Sequence, residues 1–192
     1  MWRRLARIVV VFSDHVRVEE DVALLERLRM ALRSAPRTNG RQLLQRSGEL
    51  HRIAVPDWSA LSRDRPAVGV GFFGQARPDV DHGPISLMED EIVERAASLD
   101  GLLAYHNALL EPGRWANLVV FESVSAVGSL RGDALHEAAV ALTPVHYASL
   151  RLHRGLMANG ALGDAPFALE RTLFFDFSCD PPRRFVRMAR PL

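Results

Sequence analysis

The chain has 192 residues, 48% apolar and 24% charged, with a formal net charge of +1. This fits one domain that buries roughly 70% of its unfolded surface, and it excludes gross disorder. All 24 basic side chains are Arg, which excludes Schiff-base lysine chemistry and a P-loop lysine, and a single cysteine, Cys179, excludes an internal disulfide and fits a reducing, cytoplasmic setting.

No apolar run approaches the ~20 residues needed to cross a bilayer, so no membrane partner is expected. The opening "MWRRLARIVVVFSDH" has a basic stretch and a short apolar run, but no small-residue cleavage site. It reads as a buried strand rather than a signal peptide. "EEDVALLERLRMALRS" reads as a helix, with Val22, Leu25, Leu28 and Leu32 at helical spacing and its acids ahead of its arginines, which suits the helix dipole. "RQLLQRSGELHRIAV" fits either a short helix or a strand, and "PDWSALSRDRP" reads as a loop.

From Ala67 the pattern sharpens. "AVGVGFFGQA" is a strand, and Gly83-Pro84 opens a helix with the apolar stripe Ile85, Met88, Ile92, Ala96 and Leu99. "GLLAYHNALL" and "RWANLVVFES" are strands joined by the turn "EPGR". "DALHEAAVAL" is a helix capped by Asp133, expected to end near Thr143-Pro144 because the residue before Pro avoids helical geometry. "YASLRLHRGLM" is a strand, "ANGALGDAP" a loop and "FALERTLFFDF" a last strand. The predicted organisation is an N-terminal strand-helix extension, residues 1–66, and a domain over 67–192. The domain's order is β-α-β-β-α-β plus one strand, an α+β, ferredoxin-like antiparallel sheet with its helices on one face. The other face is expected to be bare, and to form a homodimer or enclose a cavity.

Charge is unevenly placed. Arg27 to Arg52 carries seven Arg against Glu49 alone, and Asp79 to Asp100 carries seven acids against Arg95 alone. With so small a net charge, these blocks read as solvated or mutually complementary surfaces rather than a nucleic-acid footprint. "GVGFFG", Gly69 to Gly74, matches a dinucleotide-binding pattern, but prolines follow where that site needs a helix; the glycines read as places of close backbone approach. Asp79, Asp81 and His82 read as turn and cap chemistry. Nothing near Cys179 would lower its pKa, so it is not a candidate nucleophile.

Candidate site residues come from strand alternation. In the strand after Pro144, Ala148, Leu150 and Leu152 should face the helices, leaving Tyr147, Ser149, Arg151 and His153 on the bare side. Tyr105 with Asn107, and Trp115 with Asn117, share faces on the two strands before it. Such a patch around an apolar cavity suits a small-molecule ligand, and equally a wet interface between protomers. His153 is the candidate base, Arg151 would hold a phenolate or carboxylate, Asn117 completes the catalytic set, and Tyr105, Asn107, Trp115 and Tyr147 would orient the ligand. His136, among apolar neighbours, reads as structural.

"WANLVVFESVSAVGSLRGDALHEAAVAL" resembles the dimeric α+β barrel superfamily, which includes antibiotic-biosynthesis monooxygenase-like proteins, heme-degrading monooxygenases and chlorite dismutases. The shared pattern is a strand ending near "ES", a short helical piece, then a helix bearing a His, and the resemblance covers roughly residues 67–177. It implies a homodimeric small-molecule enzyme, monooxygenase-like, acting on an aromatic or hydrophobic ligand with no cofactor. It implies alternatively a heme-binding protein with His146 or His153 as axial ligand and Arg154 or Arg151 on a propionate. A non-catalytic ligand-sensing or interaction module of the same fold is the third reading.

Overall fold

The computed structural model describes residues 15–46, 48–111 and 114–189. The strand expected around residues 6–14 and the tip of the "EPGR" turn lie outside the described residues. The chain folds as α1 (His15–Arg33), β1 (Gly40–Arg46), β2 (Glu49–Val55), α2 (Trp58–Leu61), β3 (Ala67–Ala76), α3 (Gly83–Glu94), β4 (Leu102–Glu111), β5 (Arg114–Phe121), α4 (Val124–Arg131), α5 (Ala134–His146), β6 (Tyr147–Met157), β7 (Ala168–Asp176) and β8 (Arg183–Met188). A 3₁₀ turn, Arg95–Ser98, follows α3. Among the described residues eight strands form one antiparallel sheet in the order β1-β2-β4-β5-β3-β6-β7-β8.

The ambiguous stretch 41–55 is a hairpin, with Arg46 and Glu49 paired across a tip where Gly48 takes φ +84°. Its second strand adds to β4, so residues 40–55 extend the sheet of the later domain rather than standing apart. The loop expected at 56–66 holds the short α2, capped by Asp57, which accepts from Ser59 N at 2.8 Å. The strand at 168–176 is not the last, because β8 pairs along its outer edge. α5 runs past its expected end to His146, with Pro144 inside it. Pro144 lacks the N–H that would bond the carbonyl of Val140, and the Thr143 hydroxyl donates to that carbonyl instead, at 2.7 Å.

Both faces of the sheet are covered, which corrects the expectation of helices on one face. α3, α4 and α5 cover one side, where Ile92, Val93, Ala96, Ala126 and Leu130 pack on Val68, Tyr105, Val119 and Phe121. α1 covers the other, packing Leu25, Leu28 and Leu32 on Ile53, Phe73, Leu118 and Val120. Each of those leucines is almost wholly buried, worth about 2–3 kcal/mol apiece. α1 approaches so closely because β3 offers no Cβ at Gly71; one there would lie 2.6 Å from Leu25 Cδ2. The glycines of "GVGFFG" are thus points of close approach within a strand. A homodimer through this face is ruled out in this arrangement, since the chain's own α1 fills it. Among the described residues the sheet is also open, with β1 and β8 at its edges, and does not close into a barrel.

The two charge blocks meet within the one chain: Arg41 pairs with Glu94 at the surface, and Arg52 with Glu89 and Asp90. Asp81 accepts from Gly83 N at 2.9 Å, a turn bond ahead of α3. Among the described residues no helix is long and apolar enough to cross a membrane.

Candidate functional site

α3 places one acid among its apolar residues. Glu89 is four positions after Ile85 and three before Ile92, so helical geometry turns it towards the sheet. The strands beneath meet it with polar groups. Its Oε1 accepts from Asn107 Nδ2 at 2.6 Å, Asn117 Nδ2 at 2.9 Å and the Tyr105 hydroxyl at 3.3 Å. Asn107 Nδ2 also donates to Asn117 Oδ1 (2.8 Å), and Asn117 Nδ2 to the Tyr105 oxygen (3.1 Å). On the other side Arg52 lies 3.2 Å from Glu89 Oε2, donates to Asn107 Oδ1, and places its guanidinium 5.0 Å from the Trp115 ring centre.

Tyr105, Asn107, Trp115 and Asn117 are therefore brought to one face, as alternation requires, but the group they surround is Glu89. Burial pushes the Glu89 carboxyl above its usual value, against the opposing pull of Arg52, Asn117, Asn107 and Tyr105. Tyr105 is pushed well up by burial and by the nearby Glu89, so its hydroxyl stays protonated. The carboxyl opens on a cleft of about 110 Å³ between α3, α5 and the sheet, whose walls include Phe72, Ile85, Ile92, Ala139 and Tyr147. A raised carboxylic acid at the polar end of an apolar cleft is equipped to give or take a proton from a small bound molecule.

Arg151 and His153 do share a strand face, but it is the opposite one. There, under α1, Asp21 accepts two hydrogen bonds from Arg151, one from Nη2 at 2.8 Å, and lies 2.9 Å from His153 Nε2. His153 Nδ1 lies 2.8 Å from the Thr172 hydroxyl. Burial raises the Asp21 carboxyl, yet the hydrogen bonds and charges of Arg151 and His153 outweigh it and hold it below its usual value. An Asp-His-hydroxyl chain resembles a nucleophile's relay. Here the side chains of Asp21 and His153 are 2% and 0% exposed, so no substrate reaches them. Their work is to tie α1 to β6 and β7. Arg151 and His153 thus do not share a site with Asn117.

Tyr147 is also corrected, since it does not share a face with Arg151. The pairing of β3 with β6 slips by one residue between Gln75 and Ala76, and Tyr147 lines the Glu89 cleft and stacks edge-on against Phe72, 5.6 Å away. His146 is buried beside His82, with ring centres 5.6 Å apart. Arg154 points to the α4 side. The heme set of His146, His153 and Arg154 therefore does not converge: both ring nitrogens of His153 are engaged, and Arg154 lies across the sheet from that ring. The residues present do not fit a heme. Among the described residues no group of three or more His, Cys, Asp and Glu side chains is placed to hold a metal ion.

Glu89, Asp21 and Arg52 are not among the candidate residues that strand alternation marks. The first two carry one signal, a lone acid inside an apolar helical stripe: Glu89 among Ile85, Ile92 and Ala96, and Asp21 ahead of Leu25, Leu28 and Leu32. Arg52 carries none, because its segment suits a short helix as well as a strand. Compared with known proteins, the chain matches no family model, no curated protein and no solved structure.

Proposed function

We propose that the chain is a small-molecule enzyme, monooxygenase-like, that takes an aromatic or hydrophobic ligand in the cleft between α3, α5 and the sheet, with Glu89 as its general acid–base. One observation carries this reading: a half-buried carboxyl with a raised pKa, held by two amides and a phenol, opens on an apolar cleft. Glu89 would take the proton of a bound phenol or activated C–H. Asn117 and Tyr105 orient the carboxyl, and Tyr147 lies against the ligand. Deprotonating an electron-rich aromatic is the step that lets it react with oxygen without a cofactor. The strand order β6-β3-β5-β4, with α3 and α5 on one face, supports a ferredoxin-like unit within the larger sheet. A face-to-face dimeric barrel is not part of the proposal, because α1 occupies that face.

Oxygen uptake across a panel of electron-rich hydroxyarenes tests it. Uptake by the parent protein should fall at least a hundredfold in Glu89→Gln, which keeps the shape and the Oε1 acceptor. Ligand binding without uptake in the parent would instead make the chain a ligand-sensing module. Undiminished uptake in a folded Glu89→Gln protein would remove Glu89 from the chemistry.

A further inference from the structure

A second cleft of about 110 Å³ lies between the sheet and α4, and meets the first at His136, which lines both. Its walls are apolar, with Val119, Leu152 and Leu173 from the strands and Val127 and Leu130 from α4. Three guanidinium side chains line it as well: Arg131 from the last turn of α4, Arg154 from β6 and Arg171 from β7. Arg154 and Arg171 are direct cross-strand partners. Their neighbours Leu152 and Leu173 line the same cleft, so the two cations share a face. Like charges directly opposite on neighbouring strands destabilise a sheet. Among the described residues the carboxylate paired with the three is Glu170, 3.1 Å from Arg154 Nε. Arg131 and Arg171 make no ion pair among the described residues. The Nδ1 atom of His136 is buried with no hydrogen-bond partner.

A cationic group over an apolar slot complements a ligand built the opposite way. We propose that this cleft binds a small carboxylate with an apolar body, its carboxylate bridging Arg154 and Arg171 with Arg131 as a third donor, and its body packed between Leu152, Leu173, Val127 and Leu130. Guanidinium groups suit this role because their donors match a carboxylate two at a time, and the anion removes the repulsion between the strands. The proposal does not rest on the reading of Glu89, since it concerns binding and not turnover, and its failure would leave that reading untouched.

The test is a nuclear magnetic resonance titration of the full chain at low salt with hexanoate, and with hexanol as the uncharged match. Hexanoate should bind at least tenfold more tightly than hexanol, shift resonances of Leu152, Val127 and Arg171, and weaken as salt is added. Arg171→Gln should cost at least tenfold in hexanoate affinity. Arg131→Gln, at the exposed end of α4 and outside the strand pairing, should cost at least threefold. Equal affinity for hexanoate and hexanol would overturn the proposal. So would parental hexanoate affinity in folded Arg171→Gln and Arg131→Gln proteins.

Discussion

Four titratable groups stand out among the residues that hold the sheet to its helices. Asp21 and Glu89 each interrupt an apolar helical stripe and each is met by strand side chains, but they end in opposite states. Cationic and imidazole partners keep Asp21 low, while burial lifts Glu89. His51 and His106 form the third and fourth, with His51 Nδ1 2.9 Å from His106 Nε2 beneath α1. Burial, with the neighbouring His51, drives His106 down to about 3, from 6.5. A depressed folded-state value means the unfolded chain binds the proton more tightly. The stability from neutral His106 is therefore complete above pH 6.5 and is lost as pH falls from 6.5 towards 3. At about 1.4 kcal/mol per pH unit this loss is about 3 kcal/mol by pH 4. Denaturant unfolding between pH 7 and 4 should show that decline, and His106→Leu should make it shallower whatever it does to stability at pH 7. An equally steep decline in the variant would place its origin elsewhere.

At the scale of elements, α1 is fastened at both ends of its buried stripe. Its Asp21 end grips β6 and β7. Arg29, 1% exposed, donates to the carbonyls of Gly160 (2.9 Å), Ala161 (2.7 Å), Gly163 (2.7 Å) and Ala165, which fixes the loop between β6 and β7. Between these, Leu25 enters the space over Gly71. Adding a methyl group there forces Leu25 aside, and Leu25 is itself buried. Gly71→Ala should cost about 1–3 kcal/mol and Leu25→Ala about 2–5 kcal/mol. The double variant should cost clearly less than their sum, because removing Leu25 vacates the space the new methyl needs. Simple additivity in denaturant unfolding would mean that the two positions do not meet. Element types in this region were partly legible: β3 and β6 span the expected residues, though the register slip turns Tyr147 over, and α1 begins four residues before its expected start. The hairpin 40–55 was not, because its alternation of Arg and Gln with Leu suits a short helix as well as an edge strand.

For the whole molecule, the two-sided covering decides what the sheet is able to do. With α1 in place one face is a packed core, and the two clefts described above lie on the other, under α3, α4 and α5. Removing residues 1–36 would expose the apolar surface under Leu25, Leu28 and Leu32 and leave Arg151 and His153 without Asp21. An exposed apolar face of this kind promotes association. The shortened chain should sediment as oligomers at micromolar concentration and lose its cooperative thermal transition. A cooperative, monomeric product would show that α1 is dispensable to the fold. The candidate site was half legible for the same reason. Alternation placed Tyr105, Asn107, Trp115 and Asn117 correctly with one another, and Arg151 with His153. It did not reveal that the two sets look in opposite directions.

By itself the sequence determined the local structure, through periods of two and 3.6, the Asp133 cap and the glycines of β3, together with side-chain groupings within single strands. These depend on neighbours a few positions away, and the chain carries that information directly. Only the tertiary structure decided which face each strand turns to which helix, that α1 fills the face a partner was expected to cover, and that Glu89 rather than His153 opens on a cleft. Those outcomes depend on pairings between residues far apart in the chain, such as Asp21 with Arg151, 130 positions away, and on a one-residue slip beside Gln75 that turns Tyr147 over. A shift of one residue reverses a strand's facing, so no pattern within a single segment fixes it.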